Sequence, residues 1–537
     1  MREIFYNGKV YAGKDHRESA FVCEDGKFLY VGDDAQALAY AREGDHKTDL
    51  DGKFVVPGFN DSHMHLISLG NSLNMVDLYD AASIDDLVSK GKAFMEGKTY
   101  PENHFIMGFG WNDDYFREKR FPTRYDLDRI STEYPVCFIR ACYHVYVVNS
   151  RALELIGVDR NTAQVDGGVF DLDENGEPLG IFRENACGLV IDNITALEFD
   201  EIQKCITDGV EFCNSMGITS IGTDDLSEFG PVSAKTIIKA FTELEDAGKL
   251  KARVSQQSRF HSFEEYQEFL ADGYRTGSGK EFFKIGPLKL ITDGSLGART
   301  AYMKEPYADD PTTQGVLSMD PETLEKWVRC GHDHGMQIAI HAIGDGAVRN
   351  VLDAYEKIIG QDKPNNFRHG IVHSQITDAE AIRRMKEMSL IAYIQTIFLD
   401  YDVTIAADRL GEKVKDSYKF ATLIHEGIPC SNGSDSPVDW PDVLKGIQLA
   451  ITRKSITSET EPFFTEEAMT LDECLYSFTK AGAYSTFEED TKGAICAGEV
   501  ADFVLFREDL FDVDVMHLKD VRPLETWLGG NRVWSAK

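Results

Sequence analysis

From about residue 218 to residue 435 the chain repeats one texture. A short apolar run ends in polar residues, and a stretch follows whose apolar positions recur every three or four residues. The runs are "ITSIG" (218–222), "ARVSQQ" (252–257), "IGPLKLI" (285–291), "QIAIHA" (337–342), "GIVHS" (370–374), "LIAYIQ" (390–395) and "IPCSNGSD" (428–435). Between them lie helical patterns such as "PETLEKWVRCGHDHG" and "GDGAVRNVLDAYEKII". Strand–helix alternation of this length predicts a parallel sheet joined by crossovers. With "FVVPGFN" (54–60) as an opening strand the count reaches eight, the number that closes a (β/α)8 barrel.

Both ends of the chain read differently. Residues 1–56 are short alternating segments, "IFYNGKVYAG", "SAFVCEDGKFLYVG" and "TDLDGKFVVPG", punctuated by Asn-Gly and Asp-Gly turns. "KGAICAGEVADFVLFRED" and "VRPLETWLGGNRVWS" repeat that texture at the far end. The expected organisation is an α/β chain: a small β-sandwich from 1–56 and 490–537, and a distorted TIM (β/α)8 barrel over 57–489. An insertion at about 70–210, with strand-like runs of its own, is expected above the barrel mouth.

Composition narrows the function classes. The chain has 537 residues, 42% of them hydrophobic, and a net charge of −34. Such a charge repels phosphate backbones and argues against nucleic acid as a partner. No run approaches the ~18 apolar residues of a membrane span, and the first residues lack a signal peptide's apolar region. Ten cysteines form no CxxC pair, so a reduced, cytoplasmic enzyme is expected. The acidic surface is compatible with a homodimer.

The chemistry is concentrated where the strands end. In "FNDSHMHL", His63 and His65 stand two apart on a strand and so point to one side. Imidazole is the commonest metal ligand near neutral pH. His332 and His334 have the same spacing inside a helical pattern, where two residues are ~200° apart and diverge. His341, His373 and Asp435 each close a predicted strand, at the barrel end that carries active sites. Lys289 lies within an apolar strand, where an ammonium needs a partner or must lose its charge. A salt bridge is one outcome; capture of CO2 as a carbamate between two metals is another.

In the segments "VVPGFNDSHMHL", "GFGWNDDYF", "GITSIGTDD", "KLITDGSLGARTA", "IHAIGDGAV", "RHGIVHSQ", "NGSDSPV" and "KGAICAGEVADFVLF", the chain resembles the amidohydrolase superfamily in its YtcJ-like branch, amidohydrolase family 3, which includes N-substituted formamide deformylases. The resemblance implies one or two divalent cations, zinc first among them. His63, His65, His341, His373 and Asp435 would be ligands, Asp435 also the proton shuttle, and Lys289 the carboxylated bridge. It departs from the family at Val372, at Cys142-Tyr143-His144 and at Gly222-Thr223-Asp224. The expected activity is hydrolysis of a non-peptide C–N bond in an amide, formamide or cyclic amide by metal-activated water. A deaminase on the same site and a non-catalytic metal-stabilised scaffold are the alternatives. His144, Arg140, Trp111, Glu184, Arg299 and Gln395 are the candidate contacts to a small-molecule substrate.

Overall fold

Eight strands form one all-parallel sheet in strict sequence order: β1 (Phe59–Met64), β2 (Ile218–Thr223), β3 (Arg253–Ser258), β4 (Phe283–Ile291), β5 (Ile338–Ala342), β6 (Gly370–His373), β7 (Ile391–Ile394) and β8 (Cys430–Asn432). The computed structural model describes residues 2–101, 103–113, 115–141, 145–165, 168–191, 193–194, 197–227, 232–360 and 366–537. Closure comes just beyond the last strand. The Asp435 amide donates to the His63 carbonyl at 2.8 Å, the His65 amide to the Ser436 carbonyl at 2.7 Å, and Ser62 Oγ to the Asn432 carbonyl at 2.8 Å. These bonds join the C-terminal ends of β1 and β8, so the first and last strands meet and the sheet is a TIM-like barrel.

The crossover helices follow local rules. The helix Pro321–Asp333 starts at Asp320, whose carboxylate accepts from the Glu322 and Thr323 amides, with proline in the first turn. It buries Leu324, Trp327, Val328 and Gly331, spaced by three, one and three residues along one face. His332 and His334 leave its last turn towards different partners, as helical spacing requires. Nδ1 of His334 bonds the Cys330 carbonyl at 2.7 Å. His332 is not a solvated end residue: its Nδ1 is 3.0 Å from Nε2 of buried His369.

His369 gives the fold an acid sensitivity. Its Nδ1 accepts the Ile338 amide at 3.1 Å, tying the starts of β5 and β6. Burial, helped by His332, pushes its pKa down to about 3. The unfolded chain therefore takes up a proton below the ordinary value of ~6.5 that the fold refuses. The stabilisation is complete above that value and is lost as pH falls towards 3, by up to ~1.4 kcal/mol per pH unit. His369→Asn keeps an acceptor and cannot titrate. Urea unfolding at pH 7, 6 and 5 should show a shallower loss for the variant, and identical slopes would refute the assignment.

One sequence expectation is corrected here: "FVVPGFN" is two strands. Phe54–Pro57 pairs with Lys9–Gly13 and Phe503–Phe506 in the terminal sandwich, and β1 starts at Phe59. The break falls at Gly58, whose amide turns to the Asp502 carbonyl at 2.9 Å. A Cβ there would lie 2.2 Å from Thr219 Oγ1 on β2. Gly58→Ala should therefore cost ~1–3 kcal/mol of overpacking, read as a lower urea midpoint; an unchanged midpoint would mean Thr219 yields freely.

The sandwich has two sheets. One orders its strands Lys27–Gly32, Ala20–Glu24, Glu3–Tyr6, His46–Asp49; the other runs Asn531–Ser535, Glu525–Leu528, Phe503–Phe506, Phe54–Pro57, Lys9–Gly13, His16–Glu18. Phe5, Phe21, Phe28 and Phe503 fill the space between, with Phe5 and Phe21 stacked at 4.6 Å. Sandwich and barrel belong to one compact unit, 1–67 with 206–537. Residues 68–205 are the second unit, built on a six-stranded mixed sheet. No described helix is long and apolar enough to cross a membrane.

Candidate metal centre

His63 ends β1 as a fully enclosed side chain, and His65 follows the strand with its amide held by Ser436. Asp435 lies three residues beyond β8. Nε2 of His63 and Nε2 of His65 are each 3.3 Å from Asp435 Oδ1. A ring nitrogen of His373, at the end of β6, joins them: ligand atoms of His63, His373 and Asp435 all lie within 4.8 Å of one another. Among the described residues this is the group with metal-site geometry. His373 and Asp435 have φ of 78° and 59°, left-handed values that cost a non-glycine residue ~1–3 kcal/mol. The chain accepts that strain where it aims two candidate ligands.

The hydrogen bonds around the imidazoles test whether a cation fits. Nδ1 of His63 faces Gln257 Oε1 at 2.9 Å, Nδ1 of His65 faces the Asp224 carbonyl at 2.9 Å, and Nδ1 of His373 faces Gln395 Oε1 at 2.8 Å. All three partners are acceptors, so each neutral ring carries its proton on Nδ1 and turns its Nε2 lone pair towards the site. Burial, followed by the Lys289 charge, lowers the His63 pKa. Burial, followed by His341, puts His373 well below the usual range. For His65 burial is outweighed by Asp435, Asp224 and Asp225, and its pKa is raised. Burial would likewise raise Asp435, but in the metal-free centre a proton on Nε2 of His63 or His65 donates to its carboxylate and holds it well below an ordinary carboxylate; a cation takes the place of that proton. Lone pairs converging on an ionised carboxylate repel one another unless a cation sits between them, so the donor set fits a divalent metal.

His341 closes β5 with its ring 4.4 Å from that of His373. Its Nε2 is bonded to the Gly294 carbonyl at 3.1 Å and lies 3.3 Å from Asp293 Oδ1, which leaves Nδ1 as its ligand atom. Asp293 is fixed by the amides of Tyr302, Ile343 and Gly344. Lys289 is only 2% exposed, and its Nζ lies 3.9 Å from Asp224 Oδ2. Arg259 Nε donates to the same oxygen at 2.9 Å, while Asp224 Oδ1 is buried without a partner. Burial lowers the Lys289 pKa and Asp224 resists.

The remaining expected contacts fall in both units. Gln395 meets His373 through its Oε1. Arg299 forms a bidentate pair with Asp309, at 3.1 and 2.8 Å, on the loop after β4. Within residues 68–205, Arg140 bonds Asp113 and Asn112 at 2.9 Å each, and Glu184 is exposed at the end of Pro178–Glu184. Trp111, expected to wall a pocket, is instead fully enclosed in the core of that unit against Phe116 and Phe121, because the apolar run before it continues into the packing. His144 lies outside the described residues.

Sequence reading missed Gln257, Asp224, Asp293 and Asp61. Asp61 accepts from the amides of His63 and Ser434, stapling β1 to β8, and burial pushes its pKa up to about 7. The available signal was positional: Asp61 precedes the histidine pair by two residues, and Gln257 and Asp224 stand at strand ends.

Residues 48–534 match the model of the amidohydrolase family. The chain is 33% identical to YtcJ of Bacillus subtilis (strain 168), over 99% of both proteins. It is 23% identical to the N-substituted formamide deformylase of Arthrobacter pascens, over 99% of this chain and 98% of that one. The crystal structure of a metal-dependent hydrolase from Pyrococcus horikoshii superposes with a TM-score of 0.80 at 29% identity, covering 96% of this chain and 99% of the other. With a barrel, a His/Asp centre at its C-terminal rim and a family match along almost its whole length, the chain belongs to the amidohydrolase family and is a metal-dependent hydrolase.

Proposed function

We propose that this enzyme hydrolyses a non-peptide C–N bond, in an amide, formamide or cyclic amide, with zinc at the His63, His65, His373 and Asp435 centre. The observation that carries the reading is the set of Nδ1 bonds that aims the imidazoles at one ionised carboxylate. When bound, zinc lowers the pKa of a water ligand to ~7 and polarises a substrate carbonyl. Asp435 does the proton work. Its Oδ1, which faces Nε2 of both His63 and His65, takes a proton from the attacking water and delivers it to the leaving nitrogen, acting as base and then as acid. His63 and His373 stay neutral, so they do not compete for that proton. His341, whose Nδ1 is its ligand atom, completes the centre or holds a second ion.

Lys289 is the candidate for carboxylation. CO2 adds only to a neutral amine, and burial favours that form. The similarity to a formamide deformylase supports a small acyl substrate, and the charge of −34 supports a small molecule over nucleic acid in the cytoplasm. Elemental analysis of the purified enzyme, coupled to amide, formamide and cyclic-amide substrates, tests the whole reading. Zinc with release of formate or carboxylate is expected; metal-free protein that turns over these substrates would end it. Native mass spectrometry should show the added mass of CO2, lost in Lys289→Met.

A further inference from the structure

The imidazoles of the centre are not held alike. His65 leans on a main-chain carbonyl, whereas His63 and His373 lean on the side-chain amides of Gln257 and Gln395. Both glutamines are buried, at 2% and 1% exposure, and come from different strands: Gln257 from β3, and Gln395 from the residue that follows β7. Their orientation is set by their other ends. Gln257 Nε2 donates to the Ser62 carbonyl at 3.0 Å, one residue before the histidine it holds. Gln395 Nε2 faces the Tyr393 carbonyl at 3.4 Å. Each amide oxygen is thereby committed to an imidazole.

We propose that Gln257 and Gln395 are positioning residues that fix the Nδ1–H tautomers of His63 and His373 for the cation while adding no negative charge to the centre. The inference rests on the metal-dependent reading above and deepens it. A carboxylate in either place would orient the ring equally well and make it more basic, binding the cation more tightly. It would also add a further anion beside Asp435 and weaken the pull of the cation on a substrate carbonyl. A neutral amide supplies orientation and adds no charge to the anions already there, among them Asp435, which faces Nε2 of both His63 and His65. For Gln395, whose sequence position suggested a substrate contact, this assigns a place behind a ligand instead. Asp293 has the corresponding position behind His341, and there the acceptor is a carboxylate. The centre is thus asymmetric, with neutral support for His63 and His373 and anionic support for His341.

Gln395 is the cleaner site to test, because its Nε2 bond to the Tyr393 carbonyl is the longer one, so a carboxylate meets less repulsion there than at 257. At 257 a carboxylate would face the Ser62 carbonyl. Zinc affinity is measured by competition with a chromophoric chelator for the wild type, Gln257→Leu, Gln395→Leu and Gln395→Glu, with urea midpoints of the metal-free proteins alongside. The Leu variants should bind zinc ~10–100-fold more weakly. Gln395→Glu should bind at least as tightly as the wild type, with a lower kcat. Gln395→Leu that folds and binds like the wild type would overturn the proposal, and so would Gln395→Glu that binds as weakly as Gln395→Leu. If the Leu variants do not fold, Gln395→Glu decides alone: unchanged affinity with unchanged kcat overturns it. A wild type that binds no divalent cation would instead refute the metal-dependent reading.

Discussion

Asp435→Asn should lower kcat/KM by ~10²–10⁴-fold, the range a positioned general acid–base supplies, while the chain stays folded. The substitution keeps the shape of the side chain and removes its charge. At present one oxygen faces Nε2 of both His63 and His65 at 3.3 Å. An amide there cannot take a proton from water, and its NH2 group can stand where the carboxylate accepted. Kinetics on the best amide or formamide substrate give the size of the loss, and elemental analysis divides it between proton transfer and ligation. If zinc content is retained and kcat falls, Asp435 acts mainly on the proton. If both survive, Asp435 is neither ligand nor shuttle.

Removing the metal is the second large effect. A ligand that binds only the folded state stabilises it by RT ln(1 + [L]/Kd), ~2.7 kcal/mol at a hundred times Kd. Chelator-treated enzyme should therefore melt at lower temperature, and added zinc should restore both melting and turnover in a concentration-dependent way. His63→Ala should weaken zinc by more than the ~10–100-fold expected of a residue behind a ligand, and should abolish the zinc-dependent rise in melting temperature. His334→Ala is the control. That histidine bonds the Cys330 carbonyl of its own helix and meets the Cys330 thiol, away from the centre, and its loss should leave zinc binding unchanged. A zinc-independent melt in the wild type would contradict the centre.

Much of this was legible along the chain. β2 to β7 stand within two residues of the apolar runs that predict them, and β8 within three, because a strand buried on both faces needs continuous apolar sequence. β1 was harder. "FVVPGFN" is almost wholly apolar, yet it serves two sheets, and the break falls at Gly58, where Thr219 from another part of the chain leaves no room for a Cβ. Trp111 shows the same limit: an aromatic at the end of an apolar run is more often core but also suits a pocket wall, and packing against Phe116 and Phe121 decides for the core.

By itself the sequence determined the alternation that makes an eight-stranded parallel barrel, the terminal strands that share a sandwich, and the side on which His63 and His65 both point. These follow from periodicity and from the alternation of side chains along a strand, which are local properties. Tertiary structure alone decided which polar residues meet. Gln257 reaches His63 across 194 positions and Ser434 reaches Asp61 across 373. Whether a buried imidazole points Nε2 or Nδ1 into the centre depends on the acceptor behind it, and that acceptor comes from another strand or loop with no sequence relation to the ring it holds.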